Sequence, residues 1–443
     1  MQWRRERDSN ACKEHLACTS DLTIGTCNHR CKICKMEKQE LRKYRLGELC
    51  IKIGSGATPK GGKESYLDEG EIALIRSQNV LDFSFSYDGL IFINQNQARK
   101  LSNVEIEEND VLLNITGDSV ARVCQVPKNI LPARVNQHVA IIRPKEGILD
   151  STYLKYYLLR PQFKDYMLGL SSAGATRNAL TKGMIEDFEI ELPDLPTQQK
   201  IASILSSLDD KIELNRQTNA TLEAMAQALF QEWFVAFNFP GATGEMEDSE
   251  LGLVPKGWRV EPLDKVADFL NGLALQKFPP ENEDGFLPVI KIRELKNGVT
   301  SSSDKASPNI PEKYIIHDGD LLFSWSGTLE VKFWNGGKGA LNQHLFKVTS
   351  EKYPAWFCYL WVQYHLNEFR NIAADKATTM GHIQRKHLSE ALCLIPENLE
   401  KIDASLKPII DTIISNEQEN QTLTQVRDGL LPRLMKGEYA LNI

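Results

Sequence analysis

Four groups of residues in this chain have types and spacing that could do chemistry. Cys31-x2-Cys34 has zinc-knuckle spacing, and Cys27 or His29 could add a ligand, but the second pair that a firm finger signature needs is missing. The stronger expectation is reduced thiols in an extension. Gly56 to Lys63 approaches a phosphate-cradling loop, yet Ala57 stands where the first glycine is required for Gly62-Lys63, and Glu64 follows where Ser or Thr is needed. Asp284 with Glu294-x-Lys296 could hold Mg²⁺ for a nuclease. That spacing is common by chance, and aligning the internal repeat described below sets Glu294 opposite Ser77, outside any shared feature. Methyl transfer to a flipped base needs a Gly-rich S-adenosylmethionine loop and an Asn/Asp-Pro-Pro-aromatic site. Asn238-Phe239-Pro240-Gly241 is not such a site.

The remaining group has the chemistry of nucleic-acid contact. Base edges are read by Arg, Lys, Asn, Gln, Ser or Thr, and phosphates are held by Lys, Arg and backbone amides. Thr58, Lys60 and Lys63 sit in a Gly-rich loop, and Arg76, Gln78 and Asn79 follow a strand pattern. Thr116, Ser119 and Arg122 surround a Gly turn, and Thr176, Arg177 and Asn178 follow Ser-Ser-Ala-Gly. The matching stretches further on hold Gln276, Lys277, Lys291, Arg293, Ser326, Thr328, Lys332, Thr378, Thr379, His382, Gln384 and Arg385. Taken singly, each is more often a solvated loop residue or a turn-former.

The matching stretches belong to an internal duplication. Asn109-Asp110-Val111-Leu112-Leu113-Asn114-Ile115-Thr116-Gly117 returns as Gly319-Asp320-Leu321-Leu322-Phe323-Ser324-Trp325-Ser326-Gly327. Val135-Asn136-Gln137-His138-Val139 returns as Leu341-Asn342-Gln343-His344-Leu345, and Ile51 to Gly56 has a weaker counterpart ending in Asn271-Gly272. Residues shared by both copies should serve the fold, phosphate or a partner, with a buried hydrogen-bonding role favoured for Asn-Gln-His. Residues that differ should read sequence. Trp325, Trp334, Trp356 and Trp361 read as core, with Trp334 beside Gly336-Gly337 as the best candidate for exposure.

The elements that position these groups follow from periodicity. Residues 41–160 carry short β-branched runs broken by Gly, Pro and Asn, so mostly strands and loops. Residues 151–170 read as one helix capped by Ser151 or Thr152, and Phe188 to Leu192 as a short strand. From Ile201 an apolar seam steps by 4 and 3: Ile201, Leu205, Leu208, Ile212, Asn215, Asn219, Leu222, Ala226, Leu229, Trp233. Adding 201 gives Ile402, Leu406, Ile409, Ile413, Asn416, Asn420, Leu423, Arg427, Leu430, Leu434, with the two asparagines at the same place. Such a 3.5-residue seam belongs to helices that pack against each other, and paired polar residues on it fix register at some cost in stability. Arg427 weakens the second copy, and Pro408 should kink or restart its helix.

At 443 residues the chain suggests two or three domains, and 42% hydrophobic with 25% charged residues is ordinary globular composition. No stretch approaches the roughly 20 apolar residues that span a bilayer, and the start lacks a secretory apolar region, so a cytoplasmic protein is expected. The net charge of −7 does not favour DNA binding by the chain as a whole; a local excess or a partner's charge must supply it. Six of nine cysteines (Cys12, Cys18, Cys27, Cys31, Cys34, Cys50) lie in the first fifty residues. Met36 opens a stretch that reads like a natural start, so residues 1–35 are expected to be an extension outside the fold.

The stretch Leu195-Pro196-Thr197-Gln198 through Phe237, with Leu251-Gly252-Leu253-Val254-Pro255-Lys256-Gly257-Trp258 after it, resembles the central region of type I restriction–modification specificity subunits. Gly54-Ser55-Gly56-Ala57-Thr58-Pro59 and the repeated Thr-Gly and Ser-Gly are similar to that family's recognition domains. The likeness covers roughly residues 40–440, but Ile395-Pro396-Glu397-Asn398 lacks the Pro-x-Gln that opens the first helix.

The resemblance implies an α+β fold: two tandem globular target-recognition domains, each followed by a long helix, the two helices packing as an antiparallel coiled coil. The expected division is 1–40 as a Cys-rich extension, 41–198 and 261–397 as recognition domains, 199–238 and 398–443 as long helices, and 239–260 as linker. It further implies a non-catalytic chain that reads a bipartite, asymmetric site in double-stranded DNA. Two modification subunits carrying S-adenosylmethionine would dock on it and restriction subunits would join them, with no cofactor on this chain and no membrane. A coiled-coil scaffold, or a nuclease or methyltransferase acting by itself, are the competing readings. The scaffold leaves two loop-rich domains without a role, and the enzymes lack their motifs.

Overall fold

The computed structural model describes residues 41–59, 61–62, 66–172, 179–282, 285–375 and 381–438. The cysteine-rich segment, Lys60, Lys63, Thr176, Arg177, Asn178, Asp284, Thr378 and Thr379 lie outside them.

The first unit opens with β1 (Arg42–Arg45), the single turn α1 (Leu46–Leu49) and β2 (Cys50–Ser55). There follow β3 (Ile72–Ile75), β4 (Ile91–Ile93), α2 (Gln95–Lys100), β5 (Val111–Asn114), β6 (Val123–Gln125), β7 (Ala133–Val135) and β8 (Val139–Pro144). The unit closes with α3 (Ser151–Leu159), α4 (Pro161–Ser172), α5 (Lys182–Glu186) and β9 (Glu189–Leu192). Strands pair as β2-β8-β5-β6, as β4-β3-β7 and as β1-β9, with β3 and β7 parallel. Two helices replace the one expected over 151–170. Arg160-Pro161 breaks it, because a residue before proline is pushed out of the helical region. The cap is Asp150, whose Oδ1 accepts from Tyr153 N at 2.8 Å.

Helix α6 (Leu195–Phe230) begins four residues before the expected 199, capped by Asp194, and runs into a π-helical turn over Gln231–Val235. The polar linker forms a hairpin, β10 (Met246–Ser249) with β11 (Gly252–Pro255). The second unit then repeats the plan: β12 (Arg259–Pro262), α7 (Leu263–Val266), β13 (Asp268–Asn271), β14 (Leu287–Ile290) and α8 (Ile292–Asn297). Next come β15 (Lys305–Ala306), β16 (Ile315–Ile316), β17 (Leu321–Ser324), β18 (Val331–Phe333), β19 (Gly339–Leu341) and β20 (Leu345–Thr349). α9 (Ala355–Asp375), α10 (Arg385–Glu390) and β21 (Leu392–Ile395) complete it. Its sheets run β13-β20-β17-β18, β15-β14-β19-β16 and β12-β21, with β14 and β19 parallel like β3 and β7. Trp334 is buried in this unit, its Nε1 donating to Gly337 O at 2.6 Å, which corrects the expectation of exposure.

The final helix, α11 (Glu400–Met435), runs through Pro408 as one helix, so the restart expected there does not occur. Pro408 is the ninth residue of the helix, and the Ala404 carbonyl that it cannot serve belongs to an exposed residue, where water can take the place of the missing donor. The two long helices are antiparallel. Rising numbers on α6 meet falling numbers on α11: Asp209 meets Arg427, Asn215 meets Asn420, and Asn219 meets Asn416. Ile201, Leu205 and Ile212 are buried, as are Ile402, Leu406 and Ile413, while Leu208, Leu222, Ile409, Asn416 and Leu423 are half-buried. At two places on α11 the buried position shifts by one, from Ile409 to Ile410 and from Leu430 to Leu431. A 3.6-residue helix drifts that way against a 3.5-residue repeat once each end turns from its partner helix to a domain core.

Mid-seam, Asn215 Nδ2 donates to Asn420 Oδ1 at 3.0 Å and Asn416 Nδ2 donates to Asn219 Oδ1 at 2.8 Å. The repeat maps 215 onto 416 and 219 onto 420, so the pseudo-two-fold axis passes through this asparagine layer. Beyond it the seam enters the two cores. Ile201 and Leu205 pack with Leu431, Leu434 and Met435 in unit 1, and Phe230 and Phe234 pack with Ile402, Leu406 and Ile410 in unit 2. Each head is therefore held by both helices.

Arg427 is no defect. It is buried, donates to Asp209 Oδ1 at 2.9 Å and to Asp428, and lies over the Phe83 ring, 3.5 Å from its centroid. Asp209 also accepts from Tyr156 Oη at 2.5 Å and Lys155 Nζ at 3.4 Å. Burial pulls the Lys155 ammonium down and Asp209 works against it; burial pushes the Tyr156 phenol up, with Asp209 adding to it.

Candidate nucleic-acid interface

The repeated motifs prove to be turn devices. Asn109 (φ 71°) and Gly319 (φ 90°) adopt left-handed backbone, and the following Asp110 and Asp320 accept from Glu107 N and His317 N, both at 2.8 Å. The strands β5 and β17 then run inward, and Gly117 (φ 74°) and Gly327 (φ 66°) turn the chain at their ends. Gly56 and Gly272 are matched for another reason. A Cβ at Gly56 would lie 1.7 Å from Val135 O, and one at Gly272 would lie 2.2 Å from Asn342 O. Only glycine lets this loop close on the Asn-Gln-His segment.

Around that segment each unit builds a similar polar cluster. Asn136 is buried and its Oδ1 accepts from His138 N at 2.9 Å, while Asn342 does the same for His344 N at 3.2 Å. His138 Nδ1 lies 2.5 Å from Thr116 Oγ1, and its Nε2 lies 2.9 Å from Gln137 Nε2. The amide N–H of Gln137 donates to Nε2, which leaves the ring proton on Nδ1, donated to Thr116. The second unit has Ser326 Oγ at 3.0 Å from His344 Nδ1 and Gln343 Nε2 at 3.3 Å from its Nε2. In unit 1 the chain of bonds reaches the exposed Thr58, whose hydroxyl donates to Gln137 Oε1 at 2.6 Å.

Most of the described sequence-predicted segments converge here. Thr116 bridges to Ala179, and Asn136 N donates to Ile75 O, the residue before Arg76. Asn114, which sequence reasoning missed, donates from Nδ2 to Ser77 O at 2.8 Å and Val80 O at 3.3 Å, binding the Arg76–Asn79 segment to β5. Ser119 and Arg122 are half-buried on the same turn as Thr116. In unit 2, Ser326 bridges to His382, Leu273 bridges to Asn342, and Arg385 donates to Phe269 O at 3.1 Å. Gln276, Lys277, Thr328 and Gln384 are exposed on these loops.

Several candidates serve other ends. Asn79 is fully buried, accepting from Arg76 N at 3.0 Å and donating to Ser86 O at 3.0 Å, so it closes a turn instead of reading a base. Ser326 is buried behind His344. Lys291 is ion-paired with Asp304, and Arg293 is spent on Glu294 and Ser302 O. Lys332 lies away from the cluster, lining a crevice beside the helix pair near Glu223.

Glu294 is a buried structural acceptor. Lys291 N (3.2 Å), Arg293 and Ser303 Oγ (3.0 Å) all donate to it. Burial disfavours its charge, but those bonds outweigh the cost and hold its carboxyl below the usual range. Its oxygens are taken, and Lys296 pairs with Glu330 at 3.8 Å. The strand registers also move its repeat partner. Ile290 and Ile75 pair with Leu341 and Val135, which sets Glu294 opposite Asn79 and not Ser77. Both residues accept from the backbone N–H three positions before.

Gln198, quoted only as part of a motif, fastens the helix to unit 1. It is buried, accepts from Asp150 N at 2.9 Å and donates to Pro193 O at 3.0 Å. The second helix, which lacks that glutamine, is fastened by Trp356 Nε1 donating to Asp403 Oδ1 at 2.7 Å.

Comparison with known proteins gives one consistent result. The family model described as the type I restriction modification DNA specificity domain matches residues 38–224 and 255–425. The type I restriction enzyme MjaIX specificity subunit of Methanocaldococcus jannaschii is 27% identical over 406 residues, covering 87% of this chain and 90% of that protein. The HindI specificity subunit of Haemophilus influenzae is 25% identical over 448 residues, covering 82% of this chain and 97% of its own length. A crystal structure of a type I restriction–modification S subunit from M. genitalium superposes with a TM-score of 0.54 at 14% identity, covering 90% of this chain and 96% of that one, a likeness of fold.

Proposed function

Because the chain belongs to the type I restriction–modification DNA specificity family, we propose that it is the DNA-reading subunit of such a complex. Each unit takes one half of a bipartite, asymmetric site in double-stranded DNA, and the antiparallel helices set the gap between the halves. The observation that carries this reading is the pair of matched polar loop clusters, one per unit, with a pseudo-two-fold axis through the asparagine layer between them. A helix of 36 residues spans about 54 Å, longer than one duplex turn of roughly 34 Å. Two separated half-sites fit that reach.

The chain itself is non-catalytic on this account, and Glu294, the one described carboxylate of the nuclease candidate, is spent in a turn. Two modification subunits bind the two-fold-related surfaces and bring S-adenosylmethionine; restriction subunits join them in the cytoplasm. The net charge of −7 fits a chain that shares its grip on DNA with partners. No helix among the described residues is long and apolar enough to cross a membrane.

The test is to map methylated adenines in the source genome by single-molecule sequencing, with and without this gene. Loss of one bipartite motif is expected; an unchanged set of motifs contradicts the proposal. Methyl transfer by the purified chain alone, without a modification subunit, would favour the enzyme reading instead.

A further inference from the structure

In unit 1 the segment after β3 folds into a closed lobe. At its base the Arg76 guanidinium donates to Gly89 O at 2.5 Å and Gln78 Nε2 donates to Asp88 O at 3.2 Å. Ser86 N donates to Asn79 O, Val80 bridges to Phe85, and Leu81 N donates to Ser84 O. The tip is Phe83, a bulky residue at φ 67°. Left-handed backbone at such a residue is unfavourable and persists only when its surroundings hold it.

Four contacts hold this tip. Phe83 N donates to Val123 O at 3.0 Å, Asp82 is ion-paired with Lys164, and the Tyr156 ring lies 6.3 Å away. The fourth is the Arg427 guanidinium, 3.5 Å above the ring and fixed in place by Asp209. A cation desolvated over an aromatic face is among the stronger such contacts. Thus a residue near the end of the chain grips the tip of a lobe whose base carries Arg76 and Gln78.

Unit 2 lacks this grip. The position 201 residues before Arg427 is Ala226. The corresponding lobe, after β14, is closed on itself through Glu294, and a crevice of about 700 Å³ separates it from the helix pair. Lys296, Asn297 and Val299 line one wall and Arg216, Glu417 and Thr424 the other.

We propose that Arg427, acting through Phe83, is a positioning residue for base reading by unit 1, so that α11 sets the pose of the Arg76–Gln78 lobe while unit 2's lobe is posed by its own domain. This rests on the DNA-reading function proposed above.

The test uses the assembled complex with its modification subunits and measures binding to DNA duplexes carrying single mismatches to the motif in either half-site. Phe83→Ala should weaken discrimination at one half-site by about tenfold, the order of one good base contact, and leave the other half-site within about twofold. Phe83→Leu keeps an apolar plug and removes the π face, so it reports the clamp even if Phe83→Ala loosens the fold; a smaller loss at that half-site alone is expected. Arg427→Lys, which keeps the charge, should recover part of the discrimination lost in Arg427→Met. Equal loss at both half-sites, or unchanged discrimination in folded Phe83→Leu and Arg427→Met, overturns the inference. If the unaltered complex shows no sequence preference, it is the DNA-reading function that fails.

Discussion

At one end of the helix pair, Asp209 is enclosed by Arg427, Lys155 and Tyr156; at the other, the residues 201 positions away, Ile410 and Ala226, lie in an aromatic core with Phe230, Phe234, Phe357 and Trp361. The backbone plan of the two ends is shared down to strand order and turns, with one strand, β16, added in unit 2. The side chains that fasten head to helix are not. Buried ion pairs are sensitive to geometry and their loss is costly, while their net gain over an apolar contact is small. Apolar packing supplies stability without dictating direction. Both heads of the duplicated chain are thus held by apolar area, and one of them carries a charged key in addition, a difference that tells the heads apart in an otherwise two-fold design.

The comparison can be broken most sharply at its centre. Asp209→Ala leaves Lys155 buried without its carboxylate and Arg427 with Asp428 alone, and should destabilise the fold by about 3–5 kcal/mol in urea unfolding. The matched change at the other end, Ile410→Ala, opens a cavity and should cost about 2–4 kcal/mol. A triple variant sharpens the contrast. Asp209→Leu, Arg427→Met and Lys155→Met together replace the charges by apolar side chains of similar volume, and should recover most of the stability lost in Asp209→Ala, the remaining loss being Tyr156 Oη without its acceptor. If the triple variant is as unstable as the single one, the charges are doing more than pairing.

The smallest predicted effect is in acid. His365, in unit 2, donates from Nε2 to Leu392 O at 3.0 Å, and burial holds its pKa below the ordinary 6.5. The folded state therefore resists a proton that the unfolded chain accepts. Stability is full above about pH 6.5 and falls as the pH drops from there toward the lowered value, with a slope below about one proton. Urea unfolding at pH 7.5 and 5.5 should show this loss, and His365→Gln should reduce it.

Much of this architecture was legible in the sequence because duplication makes a pattern testable against itself. The seam, its asparagines and the convergent loops were all readable from repeated spacing. Local details failed where a neighbour overrode propensity: Asp150 outcompeted Ser151 as a cap, and Arg160-Pro161 split a helix. The larger misses were long-range. Arg427 looks like a flaw on an apolar seam until Asp209, 218 residues away, is brought beside it. Asn79 and Glu294 look like a base reader and a metal ligand. Only the strand registers align them as the same turn-closing acceptor. Reading by sequence assigns a polar side chain its chemistry but not the neighbour that uses it up.

The central claim is that the helix pair fixes the distance between two reading heads. The most direct test is to insert seven residues into both α6 and α11 at the asparagine layer, keeping the seam in phase, and to map the methylation motif of the resulting complex. Seven residues add about 10 Å, close to three base pairs at roughly 3.4 Å each. The two half-site sequences should be unchanged and the gap between them should grow by about three base pairs. An active complex that methylates the original motif with its original gap would contradict the account.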